Sequence, residues 1–431
     1  MNRKLKSWFV YLIYLGLIIA VGIAPLHALS MRTPQSVTNS HTISASTEIR
    51  GVWLTNVGSA VMYVPWGLNR ALHQLAELNF NTIYPVVWNR GHTFYPSEIA
   101  KRETGRSQEP LLGVFRLGQD VLATFVNQGH KQGLRVIPWF EYGFMAPANS
   151  FLVQRHPDWL TSRRDSTKML TEDPKQDLEN FSSKVPQLIR QPIASEAVWL
   201  NPLHPKVQQF ILDLIVEVVT KYDVDGIQLD DHFGMPVDLG YDAFTVRLYQ
   251  QEHAGKSPPD NPIDSEWMRW RADKITDFMR RVFQAVKAVK GDRLITLSPN
   301  PQYFAYTAYL QDWQTWVKLG LVEELVCQVY RDDLKSFVAE LKQPALQIAR
   351  RQIPVAIGIL TGGLNRPITV KQVQQQVQAV RESGFNGISF FYWESLWGYI
   401  APESPRERRA AFQELFSAKA TKPKNQQNKP G

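Results

Sequence analysis

A single cysteine, Cys327, among 431 residues excludes an internal disulfide and any zinc or iron–sulfur centre built from several thiolates. Histidine is equally sparse. Nine are scattered without an HxH or HExxH pair, which argues against a histidine-rich catalytic metal site. No GxGxxG follows the first apolar run, so a dinucleotide-binding sheet has no anchor here. No zinc finger, RNP-like motif or basic recognition helix is visible, and nucleic acid is not an expected partner despite a formal net charge of +8. That charge resides mostly at the chain ends. Arg3, Lys4 and Lys6 precede any acid, while Lys419, Lys422, Lys424 and Lys429 crowd the last residues, leaving the body close to neutral. What the chain has in quantity is aromatic side chain: 13 Trp, 15 Tyr and 21 Phe. With 44% hydrophobic and 20% charged residues, the balance is globular and excludes a mainly disordered chain.

The ends differ from the body. A basic start, MNRKLKS, is followed by the uncharged run Trp8–Leu26, the order of a secretory signal. The run is long for a signal core and just long enough to span a bilayer, so residues 1–30 read as either a cleaved signal peptide or a membrane anchor. Both readings export the body to the periplasm or the extracellular space, with the membrane as a partner if the leader is retained. Residues 31–47, rich in Ser and Thr, read as a flexible spacer, and 417–431 as a disordered basic tail.

Between them, over 48–416, apolar runs alternate with amphipathic helical stretches. Strands are predicted at Ile49–Asn56, Thr82–Trp88, Arg135–Glu141, Gly226–Asp231, Leu294–Pro299, Glu324–Tyr330, Val355–Leu360 and Gly387–Trp393. A helical segment follows each. In Pro205–Tyr222, for example, Phe210, Leu214, Ile215 and Val218 recur at helical spacing opposite Lys206, Gln209, Asp213 and Glu217. Eight strand–helix pairs in strict alternation predict a parallel sheet closed into a (β/α)8 TIM barrel, with long loops after strands 2, 3 and 4.

In such a barrel the active site lies where the strands end. Trp53, Trp88, Trp139 and Trp393 occupy four of those ends and suit the stacking of sugar rings. Asn56, Asn89, Gln228, Asn300 and Tyr330 would supply hydrogen bonds to hydroxyls. Glycosidic cleavage typically uses two carboxyl groups flanking the bond. Glu141, the Asp230/Asp231 pair and Glu394 are the candidates. Alternation along Gly226–Asp231 turns Gln228 and Asp230 toward the lumen and Asp231 away, unless the strand ends early. Asp230 is therefore the expected nucleophile or base. Trp139 and Glu141 point inward on the third strand, so Glu141 competes with Glu394 for the acid role. His232 would bind substrate or tune Asp230. The glycine pair in Gly358–Asn365 is read as turn chemistry rather than a phosphate loop, because no glycine-rich anion loop follows the eighth strand.

The ordered motifs IRGVWLTN, FNTIYPVVWNRGHTFYPSE, HKQGLRVIPWFEYG, WLNPLHPKVQQFI and YDVDGIQLDDHFGMP resemble the bacterial glycosyl-hydrolase-like family 10 proteins of the cell envelope, over about residues 48–400. The resemblance implies a (β/α)8 barrel that hydrolyses glycan chains, with peptidoglycan strands stripped of peptides among the substrates. It maps the family's aspartate motif onto Asp230 and Asp231, and the FYPS element onto Phe94–Ser97 as a wall of the cleft. The chain departs from the family pattern at Gln228 (commonly His), Glu141 (commonly Asn) and His232 (commonly Tyr). The leading expectation is an exported glycoside hydrolase that needs no cofactor. A non-catalytic glycan-binding barrel and a metal-dependent barrel hydrolase are the alternatives.

Overall fold

The computed structural model describes residues 47–56, 59, 61–168, 197–363, 366–397 and 402–421. The 1–30 leader, nearly all of the spacer and most of the basic tail lie outside them. Among the described residues, no helix is long and apolar enough to cross a membrane.

Eight parallel strands form a closed ring. They are β1 (Ile49–Leu54), β2 (Thr82–Asn89), β3 (Arg135–Val136 and Trp139–Phe140), β4 (Gly226–Asp230), β5 (Leu294–Ser298), β6 (Glu324–Gln328), β7 (Val355–Leu360) and β8 (Gly387–Phe391). Each pairs with the next, and β8 returns to β1 with Ile49 opposite Gly387. All eight predicted strands are present, and so is the (β/α)8 barrel. At the closing seam Gly387 has φ +151°, and a Cβ there would meet the Ile49 carbonyl oxygen at 2.2 Å. Only glycine fits.

The outer helices are α1 (Pro65–Glu77), α2 (Val121–Lys131), α3 (Pro205–Lys221), α4 (Ser265–Val289), α5 (Trp313–Lys318), α6 (Leu334–Leu341), α7 (Val370–Glu382) and α8 (Pro405–Leu415). α3 shows how the sequence builds them. Pro205 opens its first turn beneath a His204 cap, and Phe210, Leu214, Ile215 and Val218 are buried against the barrel wall. Truncating one such side chain to alanine costs about 2–5 kcal/mol. The helical segment between β6 and β7 is two helices, because Pro344 lacks the N–H that would continue the first and instead starts Pro344–Ala349.

The long loops follow β2, β3 and β4 as expected, and they contain structure of their own. His92–Thr93 folds back antiparallel on β2, Met145–Pro147 pairs with Ala197–Trp199, and the helix Ala243–Glu252 follows β4. The FYPS element is not a cleft wall. Phe94, Tyr95 and Ser97 are buried, with the Tyr95 hydroxyl donating to the Leu214 carbonyl and Ser97 to the Glu217 carboxylate. It fastens the β2 loop to α3.

Candidate active site

Three strand ends converge on Glu141. It directly follows β3, and its Oε2 accepts from the Thr55 hydroxyl beyond β1 (3.0 Å) and from Asn89 Nδ2 at the end of β2 (2.7 Å). Asn89 Nδ2 also reaches Asn56 Oδ1 at 2.8 Å. No lysine or arginine forms a salt bridge with Glu141 among the described residues. Burial, and then the charge of Asp230, push its carboxyl up to about 8. At neutral pH it carries a proton.

Asp230, the last residue of β4, projects into the same mouth. Its Oδ1 accepts from Ser298 Oγ at the end of β5 (2.6 Å) and from Gln328 Nε2 at the end of β6 (2.8 Å). Burial and the neighbouring Asp231 charge raise it to about 7, against the pull of His232 and Ser298. β4 ends at Asp230 and the chain turns, with Phe233 N–H donating to the Asp230 carbonyl at 3.0 Å. That early end keeps Asp231 at the mouth. Asp231 accepts from Asn300 Nδ2 (2.7 Å) and pairs with His232 Nδ1 (3.0 Å), while Asp230 Oδ2 lies 3.8 Å from the same nitrogen. Burial opposes charge on both partners, yet their attraction wins: Asp231 is held below its usual value and His232 well above.

Donor atoms of Asp230, Asp231 and His232 lie within 4.8 Å of one another. They are a poor fit to a metal centre. Nδ1, the imidazole nitrogen in the cluster, is the one paired with Asp231, and the carboxylates already accept from Ser298, Gln328 and Asn300. All three also come from one tripeptide, whereas a barrel metal site draws ligands from several strands.

Among the described residues, no hydrogen bond or salt bridge joins Glu394 to Glu141 or Asp230. Glu394 sits in the short helix Trp393–Leu396 beyond β8, and burial pushes its carboxyl to about 8 while Ser59 donates to it. Neither Asp230 nor Glu141 contributes to that shift. Of the two carboxyls expected to compete for the acid role, Glu141 is the one coupled to Asp230.

The four tryptophans do not wall an open cleft. Trp53 fills the barrel interior, stacked on Tyr84 (5.4 Å) and tilted against Trp139 (6.3 Å), with its Nε1 donating to Gln228 Oε1 at 2.7 Å. Gln228 thus supports the floor. Trp139 is equally buried. Trp88 faces the other way, against Phe210 of α3, and its Nε1 donates to the Gly143 carbonyl. The cause is an irregularity in β2. The register with β3 shifts between Val86 and Trp88, which reverses the alternation and turns Asn89 inward. Trp393 packs on Trp397. These rings build the floor and the shell, and the large aromatic core takes up most of the tryptophan surplus.

Tyr330 is at the mouth: its hydroxyl is raised well above its usual value by burial and then by Asp230 and Asp231, and its ring stands 5.7 Å from Phe391. Thr55, Ser298 and Gln328 were not singled out from sequence. The signal was available, since each lies at or just past a strand end, but small polar residues there are equally common as barrel filler. Trp199, 5.8 Å from the His232 ring, comes from a loop segment that no periodicity locates, whereas Tyr142, at the same distance, lies one residue past Glu141 at the end of the third strand.

The model of the family described as Glycosyl hydrolase-like 10 matches residues 48–380. The chain belongs to that family. Glycosyl hydrolase DigH of Escherichia coli K12 is 24% identical over 348 residues, covering 70% of each chain. Glycosyl hydrolase YngK of Bacillus subtilis is 25% identical over 267 residues, 58% of this chain and 45% of its own. Among solved structures, the glycoside hydrolase domain of PgaB (BpsB) from Bordetella bronchiseptica superposes with a TM-score of 0.59 at 13% identity, covering 88% of this chain and all of that domain. The β-amylase catalytic domain of Paenibacillus polymyxa gives 0.55 at 8% identity, covering 86% and 98%. At those identities the two structures share the fold. For this family member the barrel mouth around Glu141 and Asp230 is the place to seek chemistry.

Proposed function

We propose that this glycosyl hydrolase-like 10 protein is an exported enzyme that cleaves glycosidic bonds in a cell-wall or extracellular polysaccharide, peptide-free peptidoglycan strands among them. The observation that carries the reading is two buried carboxyl groups at one mouth, Glu141 held by Thr55 and Asn89 and Asp230 held by Ser298 and Gln328. Glu141 delivers its proton to the leaving oxygen as the glycosidic bond breaks. Asp230 has one oxygen fixed by Ser298 and Gln328 and presents the other, Oδ2, as nucleophile or as base toward water. Water supplies the hydroxyl added to the sugar; its proton returns to Glu141 if Asp230 is the nucleophile, and passes to Asp230 if Asp230 is the base, in which case exchange with solvent resets both carboxyls. Asp231 and His232 form an ion pair whose members act in opposite senses on Asp230, the carboxylate raising it and the imidazolium lowering it, and so tune when it ionises.

The two titrations set the sign of the pH response. Asp230 gains competence as pH rises through about 7, and Glu141 loses its proton as pH rises through about 8. A narrow bell in kcat/KM with its maximum between those values is expected. A profile that stays flat across that range would separate these two groups from the rate-limiting chemistry. The direct test incubates the purified body with wall and matrix glycans and identifies products by mass. No new reducing ends from any polymer would remove the enzymatic reading and leave glycan binding.

A further inference from the structure

The buried tryptophans leave open what a sugar ring outside the reacting position would rest on. Among the described residues, the strongly exposed aromatic side chains are Trp66 (59%), Phe151 (43%), Tyr303 (83%) and Phe304 (49%). All four lie in segments that leave the C-terminal end of a barrel strand: Trp66 after β1, Phe151 after β3, and the other two after β5. Isolated exposed hydrophobics are ordinary, but adjacent aromatics confined to the catalytic face are not.

Tyr303 and Phe304 belong to the helix Gln302–Tyr309, which is tied to the reacting site from both ends. Just before it, Asn300 donates to Asp231 at 2.7 Å. At its far end, the Tyr309 carbonyl accepts from Met235 N–H (2.7 Å), and a Cβ on Gly234 would meet that oxygen at 2.5 Å. Just beyond, Gln311 Nε2 donates to the Asp230 carbonyl (2.8 Å). The rings continue the path outward. His232 stands 6.3 Å from Tyr309, and Tyr309 stands 5.9 Å from Phe304. A firmly held helix therefore carries an aromatic track from the Asp231–His232 pair to solvent.

We infer that Tyr303 and Phe304 form an outlying subsite that stacks a sugar ring of a long glycan, away from the bond being cleaved. The inference rests on the proposed glycoside hydrolase reading and adds where on the barrel a polymer chain is held beyond the cleaved bond. Rings presented by a helix that is already ordered bind a pyranose face with little entropy cost on the protein side. Because the contact is remote from the reacting bond, its loss acts on chain capture, and only for chains long enough to reach it.

The test is the double variant Tyr303→Ala/Phe304→Ala, assayed on peptide-free peptidoglycan glycan strands and on their disaccharide and tetrasaccharide fragments. Both positions are solvent-facing, and an unchanged Tm verifies the fold. The expected result is a rise of about tenfold in KM on the strands, with kcat retained and a much smaller change on the disaccharide. An equal change on all chain lengths, or none on the strands, overturns the subsite. If the wild type cleaves none of these glycans, the hydrolase reading fails for this polymer and the subsite is judged by cosedimentation with intact glycan strands. Wild type retained and double variant released supports it, whereas equal retention or no binding by either overturns it.

Discussion

The two ends of the barrel interior each bury a carboxyl group, and they treat it in opposite ways. At the end where the strands begin, Glu324 of β6 meets Arg135 of β3 at 2.7 Å, both nearly inaccessible, with the Tyr84 hydroxyl close by. At the end where the strands finish, Glu141 accepts from Thr55 and Asn89, and among the described residues no arginine or lysine forms a salt bridge with it. That charge is paired, and removing one partner strands the other in low dielectric. An unpaired carboxyl beside Asp230 is kept protonated and available. Stability at one end and chemistry at the other is what a (β/α)8 barrel permits, because its strand starts face packing and its strand ends carry the active-site loops.

Substitutions at the two ends should therefore separate activity from stability. The largest effect expected is from Asp230→Asn, which should cut kcat by about 10³–10⁴-fold with glycan binding and Tm preserved. Turnover within a few-fold of wild type would take Asp230 out of the mechanism. Arg135→Met should do the reverse, lowering stability by about 3–5 kcal/mol in denaturant titration while kcat per folded molecule stays within a few-fold. A catalytic defect in that variant at conditions where it is fully folded would erase the division between the ends.

Glu141→Gln comes next. A loss of about 10²–10³-fold is expected on natural glycans, shrinking on aryl glycosides whose leaving group needs no proton. Equal losses on both substrates would mean that Glu141 is not the acid. The smallest effect is from Glu394→Gln. The folded value of about 8 lies above the usual 4.5, so ionisation of this side chain progressively favours the unfolded chain as pH rises between them. The variant should be more stable by about 1–2 kcal/mol near pH 8, converge with wild type near pH 5, and keep its activity. A rate loss as large as that of Glu141→Gln would restore Glu394 as the acid.

Most of the architecture was legible. The eight strands follow from apolar runs such as Val355–Leu360 separated by amphipathic helices, and the identity of the mouth follows from closure alone. Asp230 and Glu141 were legible because alternation holds on β4 and β3. Trp88 was not, because one irregular step in β2 reverses which side chains face the lumen, and in TIYPVVWN Pro85 alone signals an irregularity without fixing which step slips. Asp231 depended on where β4 stops, a matter of one residue.

The sequence by itself determined the number and order of the strand–helix units, the carboxyl groups at the strand ends and the abundance of rings, since periodicity and composition are local properties. Only the tertiary structure decided which carboxyl meets Asp230 and which rings stay exposed. Those outcomes depend on the phase of each strand relative to its neighbours and on how loops more than a hundred residues apart pack together.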